Sequence, residues 1–158
     1  MDELNLTDSD IEGFGDLFEV IYKGDLHATA LSMGLLHIIH TWDDLIDKDH
    51  PVSDNAINQA FLFAITEVAG SPLWGPTMSR VMKGVYLRWQ AANAIEKNPD
   101  STDNELAKAW MLRVGFYDLF VLIAQQLHGT EWAVACSELT HSLYAEKLAD
   151  FIKEVKHG

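Results

Sequence analysis

Apolar residues recur at spacings of three and four along almost the whole 158-residue chain, and no Val/Ile/Thr-rich run alternates with period two. That pattern rules out a sheet as the organising element and predicts an all-α fold. Breaks at Gly, Pro and Asn/Asp clusters divide it into about six helices. They are expected from near Ser9 to Tyr22, from a cap at Asp25 to about Lys48, over "DNAINQAFLFAITEVAG" to Gly70, from Thr77 to Lys97, from Glu105 to His128, and from Glu131 to Val155. Without an internal repeat, a low-complexity segment or a long linker, residues 1–158 read as a single compact helical bundle.

Apolar residues make up 48% of the chain and charged residues 22%, a balance that can build a core and argues against disorder. The 24 acidic against 11 basic residues leave a formal net charge of −13, so the surface repels nucleic-acid phosphates and anionic membranes. Neither is an expected partner; metal ions and basic proteins are compatible with this charge. The lone Cys136 excludes an intramolecular disulfide, and its small or apolar neighbours predict a buried, inert thiol. The acidic start "MDELNLTDSD" carries the wrong charge for a signal or transit peptide, and no apolar run reaches the length of a membrane span. The expected location is the cytoplasm.

One stretch concentrates chemistry: "LLHIIHTWDDLIDKDH", residues 35–50. At helical spacing His37, His40, Asp44 and Asp47 fall within one arc of about 80°, with Asp43 about 40° beyond it. Asp43 and Asp47 are neighbours four apart, the spacing at which two carboxylates share a hard cation. Three anions in the last turns of a helix oppose its macrodipole and repel one another, each effect worth about 0.3–1 kcal/mol. A bound Mg²⁺ or Mn²⁺, or Lys48 with solvent, is expected to compensate. The bland alternative is a solvated helix end. Against it stand Leu35, Leu36, Ile38, Ile39, Leu45 and Ile46, which imply a largely buried helix whose aspartates face a cleft.

"IIHTWDDLIDKD", residues 38–49, resembles the first aspartate-rich motif of the class I isoprenoid synthases, the prenyl diphosphate synthases and terpene cyclases. The resemblance implies that Asp43, Asp44 and Asp47, with His40 as a looser match, hold Mg²⁺ ions that grip a diphosphate and draw off the leaving group. It covers this stretch alone. Neither a second D-D-x-x-D nor an N-D-x-x-S-x-x-x-E follows, and the basic pair expected after the motif in prenyl synthases is replaced by "HPVSD".

Partners for the aspartates must come from other helices. Arg113, Tyr117 and Asp118 interrupt the apolar stretch "WMLRVGFYDLFVLIAQQLH", and burial requires Arg113 and Asp118 to be paired with each other, with another helix or with a ligand. Arg113, Tyr117 and Arg88 are the candidate contacts for a phosphorylated ligand. Glu138 and His141 form the E-x-x-H spacing of di-iron bundles, a site that also needs two further glutamates on separate helices. Two functions therefore stand. The first is a non-enzymatic acidic protein that binds another protein as an inhibitor or assembly factor, with Trp74 and Trp132 as anchors should they lie at the surface. The second is a small Mg²⁺-dependent enzyme or binder of diphosphate-containing ligands. A broad apolar face on nearly every helix is also compatible with a homodimer.

Overall fold

The computed structural model describes residues 13–48 and 50–157. The elements are α1 (Phe14–Ile21), α2 (Leu26–Asp47), α3 (Asp54–Phe63) running into a π-helical turn (Ala64–Val68), α4 (Pro76–Glu96), α5 (Asp103–Arg113), a 3-10 turn (Val114–Tyr117), α6 (Asp118–His128), α7 (Thr130–Ser142) and α8 (Leu148–His157). Among the described residues no strand occurs, and the elements form seven helical rods, α5 and α6 being one rod through the 3-10 turn. The all-α expectation holds. The residues before Gly13, including Ser9 and the acidic start, lie outside the described ones.

Local chemistry accounts for the boundaries. Asp25 caps α2 by accepting from the Ala28 N–H at 2.9 Å, as its position in "KGDLH" predicts. Ser53 does the same for α3, and Thr102 with Glu105 forms a capping box that starts α5. At the far end of α2, Lys48 takes the left-handed conformation with φ 61°, which stops the helix before Pro51.

Two breaks depart from the expected helices. The stretch from Glu105 to His128 tightens into a 3-10 turn at 114–117, where the Arg88 guanidinium lies so close to Gly115 that a Cβ there would sit 2.9 Å from it. The stretch from Glu131 to Val155 opens at 143–147 without any Gly or Pro, because tertiary bonds take over: the Trp110 indole N–H donates to the Glu146 carbonyl at 3.2 Å.

The main core joins α1, α2, α4, α6 and α7 around fully buried Leu17, Phe18, Ile21, Tyr22, Phe120 and Ile123. Phe18 meets Phe120 edge-on at 4.8 Å, and the Tyr22 hydroxyl is satisfied by Ser32 at 2.7 Å. A second apolar cluster, centred on Leu106, Ala109, Ala92 and Phe151, docks α8 on the α4–α5 hairpin. Gly34 lets α2 and α3 approach, since a Cβ there would overlap the Phe63 ring. Cys136 is buried and unpaired in the main core, where desolvation pushes its thiol up to about 11.

Candidate functional site

The C-terminal half of α2 carries the residues singled out from sequence, and its neighbours divide them. His37, placed with the polar arc, turns to α3, where its Nε2 lies 3.3 Å from the Ala56 carbonyl oxygen. Asp44 faces His50, 3.7 Å away. Asp43 and Asp47, by contrast, reach toward the end of α5. The 80° arc thus runs along the solvent edge of the helix and is not one converging site. Asp43, at the arc's margin by angle, is the aspartate that borders a cavity shared with Arg113 and residues of α4.

What meets Asp43 and Asp47 is Arg113. Its Nε and Nη2 donate to the two oxygens of Glu96 at 2.6 and 2.5 Å, a two-pronged pairing that matches the planar fork to the carboxylate. Nη2 also reaches Asn93 Oδ1 at 3.2 Å and Asp47 at 3.4 Å, and Nη1 reaches Asp43 at 3.4 Å. The Arg113 side chain is 16% exposed and that of Glu96 14%. Burial by itself would lower the guanidinium's affinity for its proton; the bond and charge of Glu96, with Asp43 and Asp47, overcome it and raise the value above the ordinary arginine range. For Asp43 and Asp47, two of the three anions at this helix C-terminus, the compensating charge therefore comes from Arg113, which lies between them.

Arg113's donors are so far committed to carboxylates and Asn93 that little of the fork faces outward. Among the described residues no group of three or more His, Cys, Asp or Glu side chains is arranged to hold a metal ion. Of the residues expected to bind metal, the structure brings Asp43 and Asp47 onto one guanidinium, leaves His40 exposed beside them, and sends Asp44 elsewhere.

Behind Asp43 lies a cavity of about 130 Å³ between α2, α4, the 3-10 turn and the 143–147 segment. Its walls include Trp42, Tyr86, Trp89, Phe116, Tyr117 and Tyr144, with His40, Asp43 and Arg113 at one side. Trp42 stacks on Tyr86 at 5.8 Å and meets Trp89 edge-on at 5.1 Å. Tyr117 is 5% exposed, and desolvation pushes its hydroxyl up to about 12. The Tyr144 hydroxyl donates to Glu146 at 2.5 Å; burial, then this bond, raises it further. Tyr117 was a sequence candidate. Trp42, Tyr86 and Trp89 were not, although Trp42 sits inside the quoted stretch, because aromatic residues at helical spacing ordinarily signal core.

A second polar group surrounds the other candidate arginine. Arg88 Nη2 donates to Asp118 at 3.0 Å, and the second Asp118 oxygen lies 3.2 Å from His141 Nε2. Asp118 pairs across helices although its side chain is 40% exposed, so the pairing is not compelled by burial. Glu138, the other half of E-x-x-H, is exposed and does not share this contact.

The opposite flank of α2 is apolar. Ile38, Thr41, Trp42, Leu45, Ala60, Phe61 and Ala64 line a groove of about 310 Å³ between α2 and α3, and Phe61, Leu62 and Ile65 stand 67%, 60% and 70% exposed. Trp74 and Trp132, the anchors expected from sequence, are instead packed at the core margin. Trp132 donates its indole N–H to the Ile21 carbonyl at 2.8 Å and lies under the Lys23 ammonium. Among the described residues no helix is long and apolar enough to cross a membrane. No protein-family model, curated protein or solved structure matches this chain.

Proposed function

We propose that this chain is a protein-binding module whose α2–α3 groove receives an amphipathic helix with a basic rim. The observation that carries this reading is the row Phe61, Leu62 and Ile65, each more than half exposed beside a groove with almost no polar lining. Large apolar side chains clustered on a surface are costly to leave in water and mark contact sites. A helix laid in such a groove presents apolar anchors at spacings of three and four.

Charge selects the partner. Residues 43–67 contain six acidic residues and one lysine, Lys48, in a chain of net charge −13. Two copies facing each other here would repel, whereas a Lys/Arg-rimmed helix is drawn in. A synthetic Leu/Lys amphipathic peptide and its Leu/Glu counterpart provide the test by fluorescence anisotropy. The basic peptide is expected to bind with micromolar affinity, and Phe61→Asp/Ile65→Asp to weaken it at least tenfold. Equal binding of both peptides, or none of the basic one, overturns the reading. Sedimentation showing a dimer that the same double variant dissolves would assign the face to a second copy instead.

The divalent-metal reading of the aspartates is the weaker one, because Arg113 stands where a cation shared by Asp43 and Asp47 would stand.

A further inference from the structure

The aromatic cavity behind Asp43 has no part in the groove reading, although Trp42 forms a wall of both. We propose that it is a binding site for a small organic cation, a methylated ammonium group or one of similar size. Two observations converge on this chemistry.

The first is the wall. Trp42, Tyr86, Trp89, Phe116, Tyr117 and Tyr144 surround one space, and aromatic faces attract a desolvated cation through their quadrupoles, Trp most strongly. The second is the local charge. Asp43 borders the cavity, and three carboxylates (Asp43, Asp47 and Glu96) surround the single guanidinium of Arg113. The excess is negative, which opposes an anion and favours a cation.

Size narrows the ligand. The cavity of about 130 Å³ is close to the engineered apolar cavity of about 150 Å³ that admits benzene, so it takes a group of about six heavy atoms. Tetramethylammonium fits that limit. A folded diphosphate or a prenyl chain does not, and neither is favoured by the charge.

The test uses the full chain and tryptophan fluorescence, titrating tetramethylammonium chloride against sodium chloride and against tert-butanol, a neutral molecule of similar shape. Saturable quenching by tetramethylammonium in the millimolar range is expected, with tert-butanol at least tenfold weaker. Trp89→Leu and Asp43→Asn should each weaken tetramethylammonium at least fivefold, while tert-butanol binding is unchanged by Asp43→Asn. No saturation by tetramethylammonium, or equal affinity for the neutral molecule, overturns the proposal. Because the cation-against-neutral comparison needs only the unmodified chain, a variant that fails to fold does not spare it.

Discussion

Arg113 and Arg88 bracket the same 3-10 turn, and they do different work. Arg113 closes α5 just before the turn, is 16% exposed and satisfies acceptors from α2 and α4. Arg88 lies against the turn from α4, is 42% exposed and holds one carboxylate, Asp118, itself 40% exposed. Both are interhelical ion pairs by distance. What separates them is burial and the number of anions that depend on each. An exposed pair is screened and contributes little, whereas withdrawing the cation from a buried group leaves charges that cannot be resolvated.

The strongest way to break this contrast is Arg113→Met. It leaves Glu96 buried and Asp43 and Asp47 facing it without a cation, and should lower unfolding stability by about 3–5 kcal/mol in urea denaturation. A cost below about 1 kcal/mol would show that Arg113 is no more structural than a surface arginine. The same variant sharpens the metal question. With the guanidinium gone, Mg²⁺ or Mn²⁺ can take its place among the carboxylates, so the variant's melting temperature should rise with divalent ion while the unmodified chain's rises less. The opposite ordering, abolished by Asp43→Asn/Asp47→Asn, would return the aspartates to the metal role that their resemblance to isoprenoid synthases implied.

Glu96→Gln probes the anionic side of the same group. It keeps the shape but removes the charge from the two short bonds to Arg113, and is expected to cost about 1.5–3 kcal/mol. Asp43→Asn, at a side chain 38% exposed and 3.4 Å from its partner, should cost under about 1 kcal/mol. Comparable losses for the two variants would mean that Arg113 is held by the aspartates as firmly as by Glu96.

These partners also show what was readable from sequence. Helix identity was legible because it rests on local signals: Asp25 and Ser53 cap where their types and positions say they should, while Thr102 caps α5, which starts two residues before the expected Glu105. The pairing of Arg113 was legible as a need, since a charged group in an apolar stretch must find an opposite charge. Its partner Glu96 was not, because the i, i+4 pattern of "DDLID" carries no information about which helix packs alongside. The angular reading of α2 failed for the same reason. It placed Asp44 with Asp47 by spacing alone, whereas Arg113 from another helix meets Asp43 and Asp47 and leaves Asp44 to His50. The opening between α7 and α8 had no local signal at all; Trp110 and Tyr144, distant or neutral in sequence terms, make the bonds that replace helical ones.

Arg88→Met carries the smaller half of the contrast. Its pair with Asp118 is exposed on both sides, and the loss should be about 0.5–1 kcal/mol, read as a shifted urea midpoint at unchanged slope. A loss of the size expected for Arg113→Met would put the two arginines in one class.

The finest effect lies at Gly115, where the two regions touch. A Cβ there would meet Arg88 Nη1 at 2.9 Å and Cζ at 3.1 Å, contacts a long, half-exposed side chain can relieve by swinging outward at the expense of its bond to Asp118. Alanine in place of glycine also favours helical backbone by up to about 1 kcal/mol. In the native background these effects oppose, and Gly115→Ala should change stability by less than about 0.5 kcal/mol. In the Arg88→Met background only the helical gain remains, so the same substitution should stabilise. The coupling between positions 115 and 88, read from a double-mutant cycle, is therefore expected to be of the order of the Arg88–Asp118 pair itself. If Gly115→Ala instead destabilises equally in both backgrounds, the glycine is needed by the 3-10 backbone and not by Arg88, and the turn, with Arg113 at its start, is set independently of the exposed pair.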